Sequence, residues 1–368
     1  MTSGDLQAHP GMLALARESR GMTQTGVADA MTKASGGAAV VSQGYVSRAE
    51  AGRLAVGEDR LVLYAAALGY PPELLCADPQ VGGVGVGLIH HRKRASLSAS
   101  ALRRIHAELA LVRLQVAGMA GAAALPEKGH RVPRVDLDDL TTARDAARQV
   151  RREWSLPAGP VADVIGSIEA AGCWVVVRDL GSKLLDAVSQ WDGRQMPLML
   201  VNGLAPGDRC RFSVAHELGH LVMHTEPGTA GEQEKQADAF ASEFLMPAAD
   251  IRQAFTGGVD LARLAELKRT WRVSMSALLR RAVDLNALSD WQYRTVVVEM
   301  SALGYRSAEP VVIPPERPRR VDALVDVLMS DRGLDLDRAA SCAHLLPEDF
   351  ERLYMAGDRS LSHALLRR

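Results

Sequence analysis

The sequence predicts a mainly α protein with a small β-sheet (α+β): an all-α N-terminal domain, a domain mixing helices with the sheet, and a helical C-terminal region. Three observations predict it. Helical periodicity punctuated by turn signals fills the first part of the chain and returns in the last third. Between these parts, "CWVVVRDL" (173–180) and "MPLMLVN" (196–202) concentrate β-branched and large apolar residues between turns. At 368 residues and 47% hydrophobic content, the chain is long enough for two or three units with cores of their own.

The elements follow in order. "GMLALARESRGM" is a helix with Leu13, Leu15 and Ala16 near one face and Gly21 as its stop. Thr23 is the expected N-cap of "TQTGVADAMTK", and Ser42 opens "SQGYVSRAEAG", which Gly52 closes. "EDRLVLYAAALGY" ends at Gly69, ahead of Pro71 and Pro72, completing a domain over 1–78. The glycine-rich "PQVGGVGVG" (79–87) reads as a linker. The basic "HHRKRASLSASALRR" (90–104) reads as the solvated start of a long helix over about 98–119, within a segment spanning 79–134.

The next domain, 135–288, begins with an amphipathic helix in "DLDDLTTARDAARQVRREWSLP", stopped by Pro157, and a second in "VADVIGSIEAAG". The two strands follow, with "AVSQWDG" as a shorter one between them. Helices return at "RFSVAHELGHLVMH" and "GEQEKQADAFASEFLMP" and continue to about residue 288. In the C-terminal region, 289–368, the proline-rich connector "YRSAEPVVIPPERPRR" leads to a helical tail of helix–turn–helix-like pattern, a packing or partner surface.

Charge and cysteine narrow the function classes. The formal net charge is -1, so the whole chain is not an electrostatic magnet for nucleic acid or membrane. Cys76, Cys173, Cys210 and Cys342 are far apart and form neither a disulfide framework nor a thiolate zinc site. The N-terminus has no basic-then-apolar signal pattern, and "LQVAGMAGAAALP" is too short to cross a bilayer. The expectation is a cytoplasmic protein with no membrane partner.

The chemistry concentrates in "RFSVAHELGHLVMH". His216 and His220, four apart on a helix, aim two imidazoles at one point, and Glu217 sits about 100° around the helix beside it. This is H-E-x-x-H, two ligands for Zn2+ with a carboxylate placed to take a proton from water. Zinc needs a third protein ligand. His224 is two turns from His216, about 12 Å along a straight helix, too far to share the ion. It is expected beside the site or simply packed, and is the only candidate for oxyanion stabilisation. The third ligand is expected from the next helix, where Glu234 and Asp238 share a face and Ala237, Phe240, Ala241 and Phe244 form the apolar stripe. Glu234 is the candidate ligand, with Glu232 as the alternative, and Asp238 the acceptor for a ligand ring N–H. Glu232 and Glu243 otherwise read as solvated carboxylates. An extended substrate is expected to pair with an edge of the small sheet, with "MPLMLVN" as the candidate strand.

With these residues in place, the chain resembles the ImmA/IrrE family of metallopeptidases over roughly 136–288. The resemblance rests on "RFSVAHELGHLVMH" followed by "EKQADAFASEFLMP" ending at Pro247, with "MPLMLVN" ahead of both. It implies a zincin-like (gluzincin-like) domain, with His216, His220 and Glu234 on Zn2+, Glu217 as catalytic base and Asp238 in support. It also implies a cytoplasmic endopeptidase acting on a repressor- or antitoxin-like protein, although some relatives act as transcription regulators.

"GMTQTGVADAMT" with "VSQGYVSRAEAGRL" resembles the helix-turn-helix domain of the phage-repressor-like (XRE) family. Gln24 then opens the second helix, and Ser42, Gln43, Tyr45, Ser47 and Arg48 lie on the recognition helix. Glutamine reads adenine edges, while Ser, Tyr and Arg hold phosphates. The implied partner is operator DNA bound by a homodimer. Two features qualify this. The turn "KASGGAAV" is long, and acids outnumber the bases of the domain, so non-specific phosphate attraction is weak; a helical partner-binding module is the alternative. Two functions are therefore carried forward: a zinc endopeptidase with a DNA-binding domain, and a DNA-binding regulator whose peptidase-like domain senses a ligand or partner.

Overall fold

The computed structural model describes residues 7–78, 88–91, 97–125, 131–191, 196–225 and 230–355. The expected linker at 79–87, residues 92–96 of the basic run and residues 126–130 lie outside them. The architecture is α+β.

In chain order, helices α1 (Pro10–Ser19), α2 (Gln24–Ala34), α3 (Gln43–Glu50), α4 (Glu58–Leu68) and α5 (Pro72–Cys76) come first. Strand β1 (Leu88–His91), the long helix α6 (Ala99–Ala122), α7 (Ala143–Glu153) and α8 (Val164–Ala170) follow. Next are β2 (Trp174–Arg178), β3 (Ala187–Trp191), β4 (Leu198–Asn202), α9 (Gly207–Met223) and α10 (Ala230–Leu245). Then come α11 (Ala248–Ile251), α12 (Leu261–Trp271), α13 (Met275–Asp284), α14 (Asp290–Ala302), α15 (Arg320–Asp326), α16 (Leu336–Cys342) and α17 (Pro347–Phe350). No helix among the described residues is long and apolar enough to cross a membrane.

The chain divides into two compact units. One gathers 1–87, 95–128 and 319–368, so α1–α6 share it with α15–α17. Local chemistry sets its first helices. Thr23 and Ser42 cap α2 and α3 by accepting from the backbone N–H groups of Gly26 and Tyr45. The long turn between them is closed by side chains. Thr32 Oγ1 accepts from Val41 N at 3.0 Å and Ser35 Oγ from Ala39 N at 3.1 Å, while Gly36 and Gly37 take positive φ of 64° and 82°. In α6, Gly118 lies against the backbone at Cys342, where a Cβ would overlap the Cys342 carbonyl oxygen. Glycine there lets α6 and the C-terminal helices approach closely.

The other unit gathers 88–94 and 129–318. Its sheet has the order β1-β3-β4-β2, with β3 antiparallel to both β1 and β4, and β2 parallel to β4. β1 starts just after the expected linker and takes in His90 and His91, the first two residues of the run read as the start of a solvated helix. β4, expected as the edge available to an extended substrate, is instead an interior strand. Both its sides are paired, and the terminal strands are β1 and β2. Its residues, Leu198–Asn202, are all buried, as suits a strand with neighbours on each side. α9 is buried on every face from Ser213 to Met223 and forms the centre of the core with α7, α8, α10 and α13.

The proline-rich connector is anchored to this unit. Glu309 pairs with buried Lys268 at 2.6 Å and accepts from Met275 N at the start of α13. Glu316 accepts from Val164 N and Ile165 N at the start of α8 and pairs with Arg211 of α9. Glu243, read as solvated, is also fixed: it is buried, pairs with buried Arg281 and lies 2.9 Å from Arg148 Nε. The apolar stripe of α10 explains this, because Phe240 and Phe244 draw that whole turn into the core.

Candidate metal centre

Close packing of α9 on α10 assembles the centre. Gly219, inside the H-E-x-x-H run, faces Phe240: a Cβ at Gly219 would lie 3.1 Å from the Phe240 Cβ, Cγ and Cδ1. With no side chain there, Phe240 seats against the backbone of α9, and α10 carries Glu234 to the two histidines. His216 Nε2 and His220 Nε2 lie 3.1 Å apart. Glu234 Oε1 is 3.2 Å from His220 Nε2, and Glu234 Oε2 is 3.4 Å from His216 Nε2. Donor atoms 2.0–2.1 Å from a tetrahedral ion stand about 3.3 Å from one another. The three side chains therefore fit a zinc-sized ion. Among the described residues this is the only His/Cys/Asp/Glu group with such convergence.

Asp238 Oδ1 accepts from His216 Nδ1 at 2.8 Å, which leaves Nε2 for the ion. His224 ends α9 and lies beside the site, not among the ligands: its Nδ1 is 2.9 Å from His220 Nδ1 and its Nε2 is 2.9 Å from Gln236 Oε1. Both ring nitrogens are engaged, which counts against the oxyanion role considered for it. Glu232 is exposed and lies 3.8 Å from Lys235, so Glu234 is the carboxylate delivered to the histidines.

Glu217 is buried and accepts a hydrogen bond from Ser189 Oγ of β3 at 2.6 Å. Sequence reading missed Ser189 and Gln236. Ser189 lies 28 positions upstream of Glu217, on a strand whose register alone brings it there. Gln236 stood between two residues already singled out, but nothing local linked it to His224.

The fields follow from burial and neighbours. Burial pushes Glu217 up to about 8, against the opposing pull of His216 and the Ser189 hydrogen bond. Burial resists charge on His216, yet hydrogen bonds to Asp238 and Glu234 prevail and raise it to about 9. Burial lowers His220 to about 4 despite Glu234. Burial likewise opposes charge on Glu234, but the bonds from His216 and His220 hold it well below the carboxylate range.

The signs give a stability prediction for metal-free protein. His216 and Glu217 both have folded values above their ordinary 6.5 and 4.5, so each binds its proton more tightly when folded. Their stabilisation is full below those ordinary values and is lost as pH rises through about 8 and 9. His220 has the opposite sign, but its window lies between about 4 and 6.5. With chelator present, the melting temperature of this unit therefore falls from pH 6.5 to pH 9. All five tryptophans lie within it, so their fluorescence reports the transition. A flat profile in this range would contradict the assignment.

In the N-terminal unit, Arg17 Nε and Nη2 grip the two oxygens of Glu50 at 2.7 and 3.1 Å. Gln24 Nε2 donates to Glu50 Oε2 at 3.0 Å, and Gln43 Nε2 donates to Gln24 Oε1 at 2.7 Å. This chain ties the start of α2 to α3. Gln43 and Arg48 are exposed, and Ser47 and Tyr45 half-buried. The Tyr45 ring lies 5.2 Å from the Arg60 guanidinium. Ser42 is exposed, and its hydroxyl caps α3.

Two family models match parts of the chain. Residues 168–283 match the family model described as the IrrE N-terminal-like domain, a peptidase family. Residues 13–75 match the helix-turn-helix family model. No curated protein matches the chain.

Proposed function

We propose that this chain, in which an ImmA/IrrE-type peptidase domain follows an XRE-type helix-turn-helix domain, is a zinc-dependent endopeptidase acting in transcriptional control in the cytoplasm. Its substrate on this reading is a repressor- or antitoxin-like protein. The observation that carries the reading is the convergence of His216, His220 and Glu234 at near-tetrahedral spacing with Glu217 beside them.

His216, His220 and Glu234 hold the ion. Zn2+, when bound, acts as a Lewis acid that polarises a carbonyl and makes water a stronger acid. Glu217 accepts a proton from the attacking water and returns it to the leaving amine. Ser189 holds the Glu217 carboxylate by one oxygen, and Asp238 and His224 keep the imidazoles oriented. Burial of His216, Glu217 and His220 excludes bulk water from the proton's path.

Comparing the proteomes of cells carrying wild-type or Glu217→Gln protein tests the reading. A substrate is a protein whose fragments appear only with the wild type. If the Glu217→Gln chain supports the full biological output, the peptidase domain is a sensor instead, and the DNA-binding regulator reading replaces this one.

The helix-turn-helix match supports a regulatory setting for this activity. In our reading Gln24, Gln43, Ser47 and Arg48 contact an operator, Tyr45 lies along the backbone, Ser42 orders the recognition helix α3, and a homodimer spans two half-sites. Ser47→Ala combined with Arg48→Ala is expected to weaken operator binding about tenfold or more, on the scale of one to three kcal/mol per base or phosphate contact. A gel-shift titration at fixed salt reads the change, with cleavage retained. Unchanged affinity would remove these residues from the interface.

A further inference from the structure

β3 is the strand that meets the candidate catalytic base: Ser189 Oγ donates to Glu217 at 2.6 Å. One side of β3 pairs with β4. The other is taken by β1, four residues long and antiparallel, with His90 opposite Ser189 and His91 opposite Val188. β1 also lies against α9, the helix that carries His216, Glu217 and His220. The chain reaches this place by an excursion. Residues 88–94 belong to the unit that holds the metal centre, whereas 1–87 and 95–128 belong to the other.

An extended peptide gains its backbone hydrogen bonds by adding to a sheet edge. Neighbouring strands stand about 4.8 Å apart, so the place that brings such a peptide against Glu217 is the one directly beside β3. β2 is separated from β3 by β4, and a peptide on the outer edge of β1 would stand about 10 Å from β3. We propose that residues 88–91 occupy, as β1, the backbone place on β3 that an extended substrate takes, so that the chain holds its own substrate edge closed and a substrate enters by displacing β1. A removable occupant suits what β1 is. Among the described residues it pairs on one side only, and the sequence ahead of it, with Gly82, Gly83, Gly85 and Gly87, imposes little backbone preference. Its covalent tether compensates for short length, because a segment joined to its site by a short linker competes at roughly millimolar effective concentration.

The closure rests on the peptidase reading above, and its test separates the two. Successive backbone N–H groups point to opposite sides of a strand, so Ile89→Pro with His90→Pro removes one that faces β3 whichever way the ladder falls. The full-length double variant is compared with its parent. The probe is a fluorescein-labelled peptide of this chain's own residues 86–95, titrated by anisotropy against proteins that also carry Glu217→Gln, so that it is not cut. With β1 in place about nine-tenths of the time, the parent is expected to bind it about tenfold more weakly than the proline variant. Hydrogen exchange of residues 187–191 is expected to be slow in the parent, faster in the variant, and slow again when the peptide is added. With Glu217 restored, the variant is expected to cut the protein found in the cellular comparison about tenfold faster at limiting substrate.

Ile89→Gly with His90→Gly keeps both N–H groups, weakens the strand and is expected to move the same readouts in the same direction. This pair decides the matter if tryptophan-monitored melting shows that the proline variant does not fold. Equal peptide affinity in the parent and a folded variant, or unchanged exchange of 187–191, overturns the closure. Self-cleavage of the wild type within 88–91 also overturns it, because β1 is then a substrate and not a block. Tighter peptide binding and faster exchange, with no cleavage by any chain that retains Glu217, uphold the closed edge and overturn the peptidase reading instead.

Discussion

Glu217→Gln is expected to abolish peptide cleavage while leaving the metal and the fold in place. Glutamine matches the shape of glutamate and can still meet the Ser189 hydroxyl, 2.6 Å from the carboxylate in the wild type, but it cannot accept a proton from water. Loss of a positioned general base costs roughly two to four orders of magnitude in rate. Glu217 is not among the converging donor atoms, so metal content per chain should match the wild type. The check is cleavage of a substrate found in the cellular comparison, measured with metal analysis of the same preparation. Cleavage within about tenfold of wild type would show that another group moves the proton.

The second large effect is loss of the ion when a ligand is removed. His216→Ala deletes the imidazole whose Nε2 stands 3.1 Å from that of His220 and orphans Asp238. Glu234→Ala deletes the carboxylate that, among the described residues, is brought to both histidines. Each is expected to lower Zn2+ affinity by more than the ten- to hundredfold associated with outer partners, because an inner ligand is lost. Dialysis against a weak chelator followed by elemental analysis should find about one zinc per wild-type chain and little in either variant. Full zinc in Glu234→Ala would reject it as a ligand and return attention to Glu232.

Much of this site was legible in the sequence because its signals are local. Four-residue spacing places His216 with His220, and Glu234 with Asp238, on shared helical faces, and the apolar stripe from Ala237 to Phe244 orients the second helix. The caps at Thr23 and Ser42 were legible for the same reason. What was hidden depends on contacts between distant segments. Ser189 reaches Glu217 only through the place of β3 in the sheet. Glu243 is drawn inward by Arg281, 38 positions away. The interior position of β4 is a matter of strand order, which alternation of residue types cannot state. β1 ends at the first two histidines of the basic run, because pairing with β3 is a tertiary property. The sharing of one unit by α6 and the C-terminal helices likewise rests on the close approach at Gly118.

X-ray absorption at the zinc edge of the loaded protein tests the metal centre most directly. The account predicts a four-coordinate shell of nitrogen and oxygen at about 2.0–2.1 Å with the multiple-scattering signature of two imidazoles, one of which disappears in His220→Ala. Three imidazoles, a sulfur neighbour, or a spectrum unchanged in His220→Ala would contradict it.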